Sequence, residues 1–514
     1  MNEDFEGYSN EIDYTFGYYP WLSPAHLRLI CLTQSISFPS HRPLRYLELG
    51  YGNGVSLNIH AAACPGEYWG ADISTSHAAF SKGLAEAAGA GVRALNLSFS
   101  DLLNYQELPD FDVIATHGVW SYISDANRNT IIRLLRERLV DGGLFCVSYN
   151  TMPGSSGIVP LQHLLRLYSE NGGQHGTASD RLGAGISFVS ELRRAGSKFF
   201  ASIPKASNRL EQIRSEDPVY LVHEYLHEFW HVTSFAQISR TLAEVGLHFL
   251  ASGNLMDQYE DLSVDEEGLA LLASLGDPVM RETARDFLRD QQFRQDIFVK
   301  GNLRELRSEG SDTIQELSVI LAIPRVEVPT KINTPDGSIG LTTPLFARVL
   351  TALAADRYRA KTVRELIEQC CEPQLTTADV IRAVMILISA DIVHQVQEKV
   401  VIEDAAPACQ KLNKEILQHT SLVSRVPALA SPLTGSGIRM SRSQQLCLMA
   451  YRAGAKSADE WARFAWNRIS EKGRHHETDA DLGGLGARVL REALLFQLAL
   501  PIYCALGLAD PNIG

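Results

Sequence analysis

The stretch Glu48-Leu49-Gly50-Tyr51-Gly52-Asn53-Gly54 limits what this chain can fold into more than any other. The residues leading into it, Arg45-Tyr46-Leu47, are bulky or β-tending and read as a buried strand. Three glycines in five positions then make a turn whose backbone comes close to something. A helix pattern follows at once, with Leu57, Ile59 and Ala61-Ala62-Ala63. Strand, glycine turn and helix form a binding site, because the glycines admit a ligand against bare backbone and the helix start offers unpaired N–H groups. Tyr68-Trp69-Gly70-Ala71-Asp72-Ile73 reads as a second strand ending in an acid. In Rossmann-like units an acid about 20 residues past the glycines bonds a ribose hydroxyl, and Asp72 stands there.

The glycine spacing is not the dinucleotide pattern G-x-G-x-x-G. Gly50-x-Gly52-x-Gly54 behind Glu48 resembles motif I of the class I S-adenosylmethionine (AdoMet) methyltransferases, E-x-G-x-G-x-G. The resemblance implies that the glycines cradle the amino-acid part of AdoMet and that Asp72 holds its ribose.

At 514 residues the chain is too long for one core and predicts several domains. A net charge of −13 argues against a general nucleic-acid binder and mildly suits a cationic partner. Residues 1–19 are acidic and polar with no apolar targeting segment. The most apolar run, Ala493 to Leu508, is interrupted by Gln497 and Pro501 and falls short of a membrane span. Eight scattered cysteines without a Cys-x-x-Cys give a reduced pattern without disulfides. The expectation is a cytoplasmic protein that neither inserts into a membrane nor binds nucleic acid.

Taken in order, an aromatic arm, Tyr14 to Pro20, leads to a helix beginning at Pro24. Two readings of the arm stand: a staple on the sheet, or a flap over the cofactor. Aromatic faces suit a sulfonium, a cation with no hydrogen to donate, and Tyr14 and Tyr18 are the candidates. An alanine-rich helix follows Asp72, then a third strand at Val92 to Leu97. In the methyltransferases the adenine lies just past this strand, which implies stacking on Phe99 and polar contacts from Ser100 and Asp101; Asp101 also reads as a helix N-cap. A fourth strand, Phe111 to Thr116, runs into His117-Gly118-Val119-Trp120-Ser121-Tyr122. A helix to about Val140, a turn at Asp141-Gly142-Gly143 and a fifth strand at Leu144 to Tyr149 follow. Five strands alternating with helices predict a parallel α/β sheet.

A narrower resemblance covers residues 10–300. His117-Gly118-Val119-Trp120-Ser121, Ser148-Tyr149-Asn150-Thr151-x-Pro153-Gly154, His223-Glu224-Tyr225-Leu226, Asp286-Phe287-Leu288-Arg289 and Phe293-Arg294-Gln295 are similar to strings of methyltransferases that carry a methyltransferase regulatory domain. That family includes the rickettsial lysine methyltransferases of outer-membrane proteins. The resemblance implies a Rossmann-like core at 41–154 plus 218–255 and a helical insertion at 155–217. A first segment, 1–40, precedes the core, and a regulatory-like domain, 256–340, follows it. It also implies AdoMet contacts from Tyr14, Tyr18, Glu48, Gly50, Tyr51, Gly52, Gly54, Asp72, Ile73, Phe99, Ser100, Asp101 and His117. The acceptor would be a lysine of a protein substrate, walled by Trp120, Tyr122 and Tyr149 and oriented by Asn150 or the Tyr149 hydroxyl. His117 reads either as a base or as a group bonding the backbone beneath the cofactor, and His223 lines the cleft.

His223-Glu224-Tyr225-Leu226-His227 also matches the zinc-protease pattern His-Glu-x-x-His, with His231 four residues on. That chemistry needs a helix, whereas Val219-Tyr220-Leu221-Val222 after Pro218 reads as extended chain, and Ser234 to Gln237 reads as a capping box that starts a helix later. No metal is expected. Residues 256–300 read as helical, and a hairpin is expected near 326–339 with its turn at Pro335-Asp336-Gly337. Residues 341–405 resemble a winged helix with a hairpin at Ile392 to Ile402; little basic charge on its third helix favours a protein-contact module. Residues 406–514 read as helical, a docking surface for substrate or for a second subunit in a homodimer. A methyltransferase of small molecules or glycans, and a non-catalytic AdoMet-binding module, are the alternatives.

Overall fold

The computed structural model describes residues 14–39, 43–172, 175–302, 314–334, 337–422, 426–473 and 479–510. Behind the aromatic arm, α1 (Pro24–Thr33) starts with Pro24 in its first turn and the Ser23 hydroxyl accepting from the His26 N–H. Then β1 (Leu44–Leu49), α2 (Val55–Ala63), β2 (Gly66–Asp72), α3 (Thr75–Ala88), β3 (Val92–Asn96), α4 (Phe99–Leu103), β4 (Phe111–Thr116), α5 (Asp125–Arg138) and β5 (Leu139–Asn150) alternate. The insertion is four helices, α6 (Val159–Asn171), α7 (Ala178–Arg194), α8 (Lys198–Ser202) and α9 (Pro204–Gln212). After it come α10 (Pro218–Tyr225), α11 (Phe235–Ala243), β6 (Leu247–Ser252), α12 (Glu266–Ser274), α13 (Pro278–Leu288) and β7 (Phe293–Lys300).

The seven strands lie in the order β3-β2-β1-β4-β5-β7-β6. Tyr46 at the centre of β1 sits in parallel register beside Tyr68 of β2 and Val113 of β4, while β7 runs antiparallel to β5 and β6. The strand order reverses at β1, so the turn after β1 opens into the crevice where such sheets bind ligands. The Rossmann-like sheet with a helical insertion is the fold class the sequence predicts.

Three local readings are corrected. Residues 219–222 lie in α10, a helix that Pro218 opens and the Asp217 carboxylate caps, rather than in extended chain. Residues 293–300 form β7, a strand of the main sheet, rather than helix. Asp141-Gly142-Gly143 lie within β5, where the pairing with β4 shifts register, rather than in a turn before it.

Beyond the sheet come β8 (Ser318–Leu321), β9 (Lys331–Thr334), β10 (Gly337–Gly340), α14 (Pro344–Tyr358), β11 (Lys361–Thr362), α15 (Val363–Cys370), α16 (Thr377–Ser389) and β12 (Val393–Gln395). β9 and β10 pair as the expected hairpin; Pro335 and Asp336 of its turn lie outside the described residues. The three helices of the winged-helix reading are present, but no wing forms. β12 pairs with β8 from upstream, and Val400 to Ile402 begin α17 (Lys399–Leu422). The chain ends in a hairpin of β13 (Ala428–Ser431) and β14 (Ser436–Arg439) and in α18 (Arg442–Arg452), α19 (Ala458–Gly473) and α20 (Asp479–Ala505).

This C-terminal part is built onto the core. All nine residues of α2 are buried, so the helix must be covered on the side away from the sheet as well. α17 covers it: the Cys409 thiol bonds the Ala62 carbonyl, and one apolar cluster joins Val55, Ile59 and Ala62 to Leu412, Ile416 and Leu429. All eight cysteines are free thiols, and among the described residues no helix is long and apolar enough to cross a membrane.

Candidate active site

Gly50, Gly52 and Gly54 all take positive φ, +66°, +57° and +68°. At Gly54 a Cβ would meet the Ser81 Oγ at 2.2 Å, so both conformation and space demand glycine there. Beside Gly52 a Cβ would meet no atom within 4 Å, and this glycine lines a cavity of about 570 Å³. That volume falls within the range of small-molecule sites, about 300–1,000 Å³. The turn, the arm, the ends of β2, β4 and β5, and α10 all contribute to its walls.

Asp72 closes the turn. Its Oδ2 accepts from the Gly52 N–H at 2.8 Å, and its Oδ1 accepts from the Ser74 N–H at 2.9 Å. His77 Nδ1 lies 3.2 Å from Oδ1, while its Nε2 accepts from the Tyr14 N–H at 3.4 Å. The proton therefore sits on Nδ1 and is donated to Asp72. Oδ2, with one bond made, keeps a lone pair for a further donor. Glu48 reaches the same cavity with a buried carboxylate whose Oε2 has no hydrogen-bond partner. Burial, and then the charge of Asp72, push its carboxyl up to about 8. A buried acid left open beside an acid is a seat for a cation.

Tyr14, Glu48, Gly50, Tyr51, Gly52, Gly54, Asp72, Ile73, Phe99, His117, Tyr122, Asn150 and His223 line this cavity. Five other candidates do not. Tyr18 is buried against the His60 ring, and its hydroxyl accepts from the Gly437 N–H of β14, so it anchors the C-terminal hairpin. Its neighbour Tyr19 lines the cavity instead, with its ring 3.9 Å from that of His117. Adjacent residues of an extended arm point opposite ways, and the reading took the wrong one. Ser100 and Asp101 serve α4: Ser98 is its N-cap, and the Ser98 hydroxyl donates to Asp101 and contacts Ser100. Trp120 is packed near Phe145 in the core. Tyr149 is likewise in the core, its hydroxyl donating to Asp296 at 2.6 Å. In both, an aromatic residue next to the loop turns into the sheet rather than toward it.

His117 is no base. Its Nδ1 lies 2.9 Å from the Ser148 hydroxyl, which also accepts from the Gly118 N–H, and burial lowers its pKa to about 3. It stays neutral and packs against Tyr19.

On the other wall, Asn150 Nδ2 donates to the Tyr122 hydroxyl at 3.3 Å, and Tyr122 donates to Glu224 Oε2 at 2.8 Å. Glu224 lies on α10 with Tyr220, and Trp230 follows in the next loop. Tyr14 joins the two sides: its carbonyl accepts from Asn53 of the glycine turn, and its ring meets His223 edge-on at 5.0 Å. Tyr19, His77, Tyr220, Glu224 and Trp230 were missed from the sequence. The signal for the last three was an acid set among aromatics, which the zinc pattern obscured. α10 ends at Tyr225, before His227, and the His223 and His227 rings stand 6.0 Å apart. Among the described residues no group of three or more His, Cys, Asp or Glu could hold a metal ion.

Comparisons with known proteins bear on the fold. Residues 217–300 match the family model of a predicted methyltransferase regulatory domain. That stretch holds α10, β6 and β7, so it completes the sheet and supplies a wall of the cavity. The chain is similar to PKMT2 from Rickettsia typhi, solved in complex with AdoHcy, at a TM-score of 0.65 and 17% identity over 94% of this chain and 98% of that one. An uncharacterized protein of Synechocystis sp. is 29% identical over 91% of each chain. An uncharacterized protein of Rickettsia prowazekii is 24% identical over 61% of this chain and 56% of its own length. The chain has the class I methyltransferase fold. At 217–300 it is similar to a predicted methyltransferase regulatory domain.

Proposed function

We propose that this protein is an AdoMet-dependent methyltransferase whose acceptor is a lysine side chain of a protein. The observation that carries the proposal is the buried, unpartnered Glu48 carboxylate beside Gly52 and Asp72 on one cavity. The residues fit AdoMet. Glu48 suits the ammonium of its amino-acid part, the Gly50–Gly54 backbone its carboxylate, Asp72 its ribose, and Phe99 with Ile73 its adenine. Likeness to a protein solved with AdoHcy, the product left after methyl transfer, supports the same reading.

Bound AdoMet supplies an electrophilic methyl group. The chain's part is alignment, exclusion of water and preference for a neutral nucleophile. A lysine reacts only after losing its proton, and the aromatic wall of Tyr14, Tyr122, Tyr220 and Trp230 penalises its charged form. Incubating the full chain with tritiated AdoMet and a bacterial lysate, then hydrolysing the labelled protein, tests this. Label recovered as methyl-lysine supports the proposal, whereas label only in small molecules or glycans contradicts the acceptor.

A further inference from the structure

We infer that Glu224 is a catalytic residue: it seats the acceptor ammonium, takes its proton, and is held for that task by Tyr122, Tyr220 and Trp230. The inference rests on the lysine reading above.

A carboxylate brought indoors to hold a helix in place ordinarily pairs with a cation. Glu224 does not. Its Oε2 accepts from the Tyr122 hydroxyl at 2.8 Å and the Tyr220 hydroxyl at 3.4 Å, and its Oε1 accepts from the Trp230 indole N–H at 3.3 Å. All three donors are neutral. The guanidinium whose charge reaches it, Arg209 of α9, is committed elsewhere, to Glu216 at 2.9 Å and to the Tyr225 hydroxyl at 2.6 Å. Glu224 is therefore oriented but not neutralised, and it faces the cavity that holds the glycine turn. The titratable and charged groups around it are Tyr122, Tyr220, Tyr225, His223 of the same helix, Tyr14 of the arm and Arg209 with its partner Glu216, with His227 beyond the Tyr122 ring. Burial raises its pKa, and the bonds from Tyr122 and Trp230 and the charge of Arg209 only partly offset this.

The chemistry follows. A lysine enters as an ammonium, and burial penalises both that charge and the carboxylate. Moving one proton from nitrogen to Glu224 discharges both. The free amine pair then forms the N–CH₃ bond as the S–CH₃ bond breaks, its electron pair remaining on sulfur. Glu224 gives its proton to water, so one proton leaves per methyl added. The methylated amine is again a cation and can pass its next proton to Glu224, so the cycle can repeat.

The test uses the full-length protein with tritiated AdoMet and poly-L-lysine. Initial rates are measured across the neutral and alkaline range for wild type, Glu224→Gln and Tyr122→Phe, with AdoMet affinity by calorimetry on each. Glu224→Gln should lower kcat by about 10²–10⁴-fold at unchanged AdoMet affinity and lose the acid limb of the pH profile. Tyr122→Phe, which removes a bond to the carboxylate, should move that limb to higher pH without abolishing it. In the infrared, the wild-type minus Glu224→Gln difference should show a protonated carboxyl that grows when poly-L-lysine is added. A Glu224→Gln variant with the wild-type rate and pH profile overturns the assignment alone. Parallel loss of AdoMet affinity marks a structural role and overturns it too. Absence of label from lysine with wild type overturns the lysine reading and this inference together.

Discussion

In the proposed AdoMet site Glu48 is a charge left open and Asp72 a charge already occupied. Glu48 in the folded chain titrates near 8, against about 4.3 in an unfolded one. The folded state therefore binds the extra proton between those values, and the stability Glu48 contributes is present below the lower one and lost as pH rises through the upper one. Thermal scans should show Glu48→Gln more stable than wild type at pH 8, with the difference absent near pH 4. A cationic ligand seated on Glu48 also ionises it. AdoMet binding at pH 7 should then release a proton, seen as a heat that depends on the buffer's ionisation enthalpy, and Glu48→Gln should abolish that dependence. These two acids were legible in the sequence because the spacing of glycines and acid is itself the chemistry. Tyr19 was not, since nothing in an aromatic run says which ring faces inward.

At the scale of elements, β7 shows why a strand can hide. Its sequence places Arg294 and Asp296 at positions that end up 4% and 1% exposed. They survive there as a network: Arg294 bonds Asp296 at 2.8 Å and Glu282 at 3.1 Å, and reaches Asp286 of α13. Charge in a strand reads from sequence as solvent, so the element was taken for helix. Arg294→Met should strip Asp286 and Asp296 of their guanidinium and cost about 3–5 kcal/mol in denaturant unfolding. The aromatic arm makes the complementary case. Tyr18 ties it to β14 while Tyr19 faces the cavity. Tyr18→Phe should leave the buried Gly437 N–H unmet and cost about 1–3 kcal/mol, with AdoMet affinity unchanged. Tyr19→Ala should do the reverse.

The molecule as a whole is a methyltransferase sheet whose helix α2 is buried on every side, and the C-terminal half exists in part to bury it. That dependence was not legible, because Ala61-Ala62-Ala63 reads as an ordinary helix face until something is seen to sit on it. A chain ending at residue 398 should expose Val55, Ile59 and Ala62 and bind a hydrophobic dye. The central claim, however, is that Gly50 to Gly54, Glu48 and Asp72 close on one sulfonium nucleoside. Calorimetry of the full chain with AdoMet tests it most directly. The account predicts one site per chain, weakened by at least about tenfold in Asp72→Asn, as expected for a lost hydrogen bond to a charged group. No heat and no thermal shift with wild type, or equal affinity in Asp72→Asn, would contradict it.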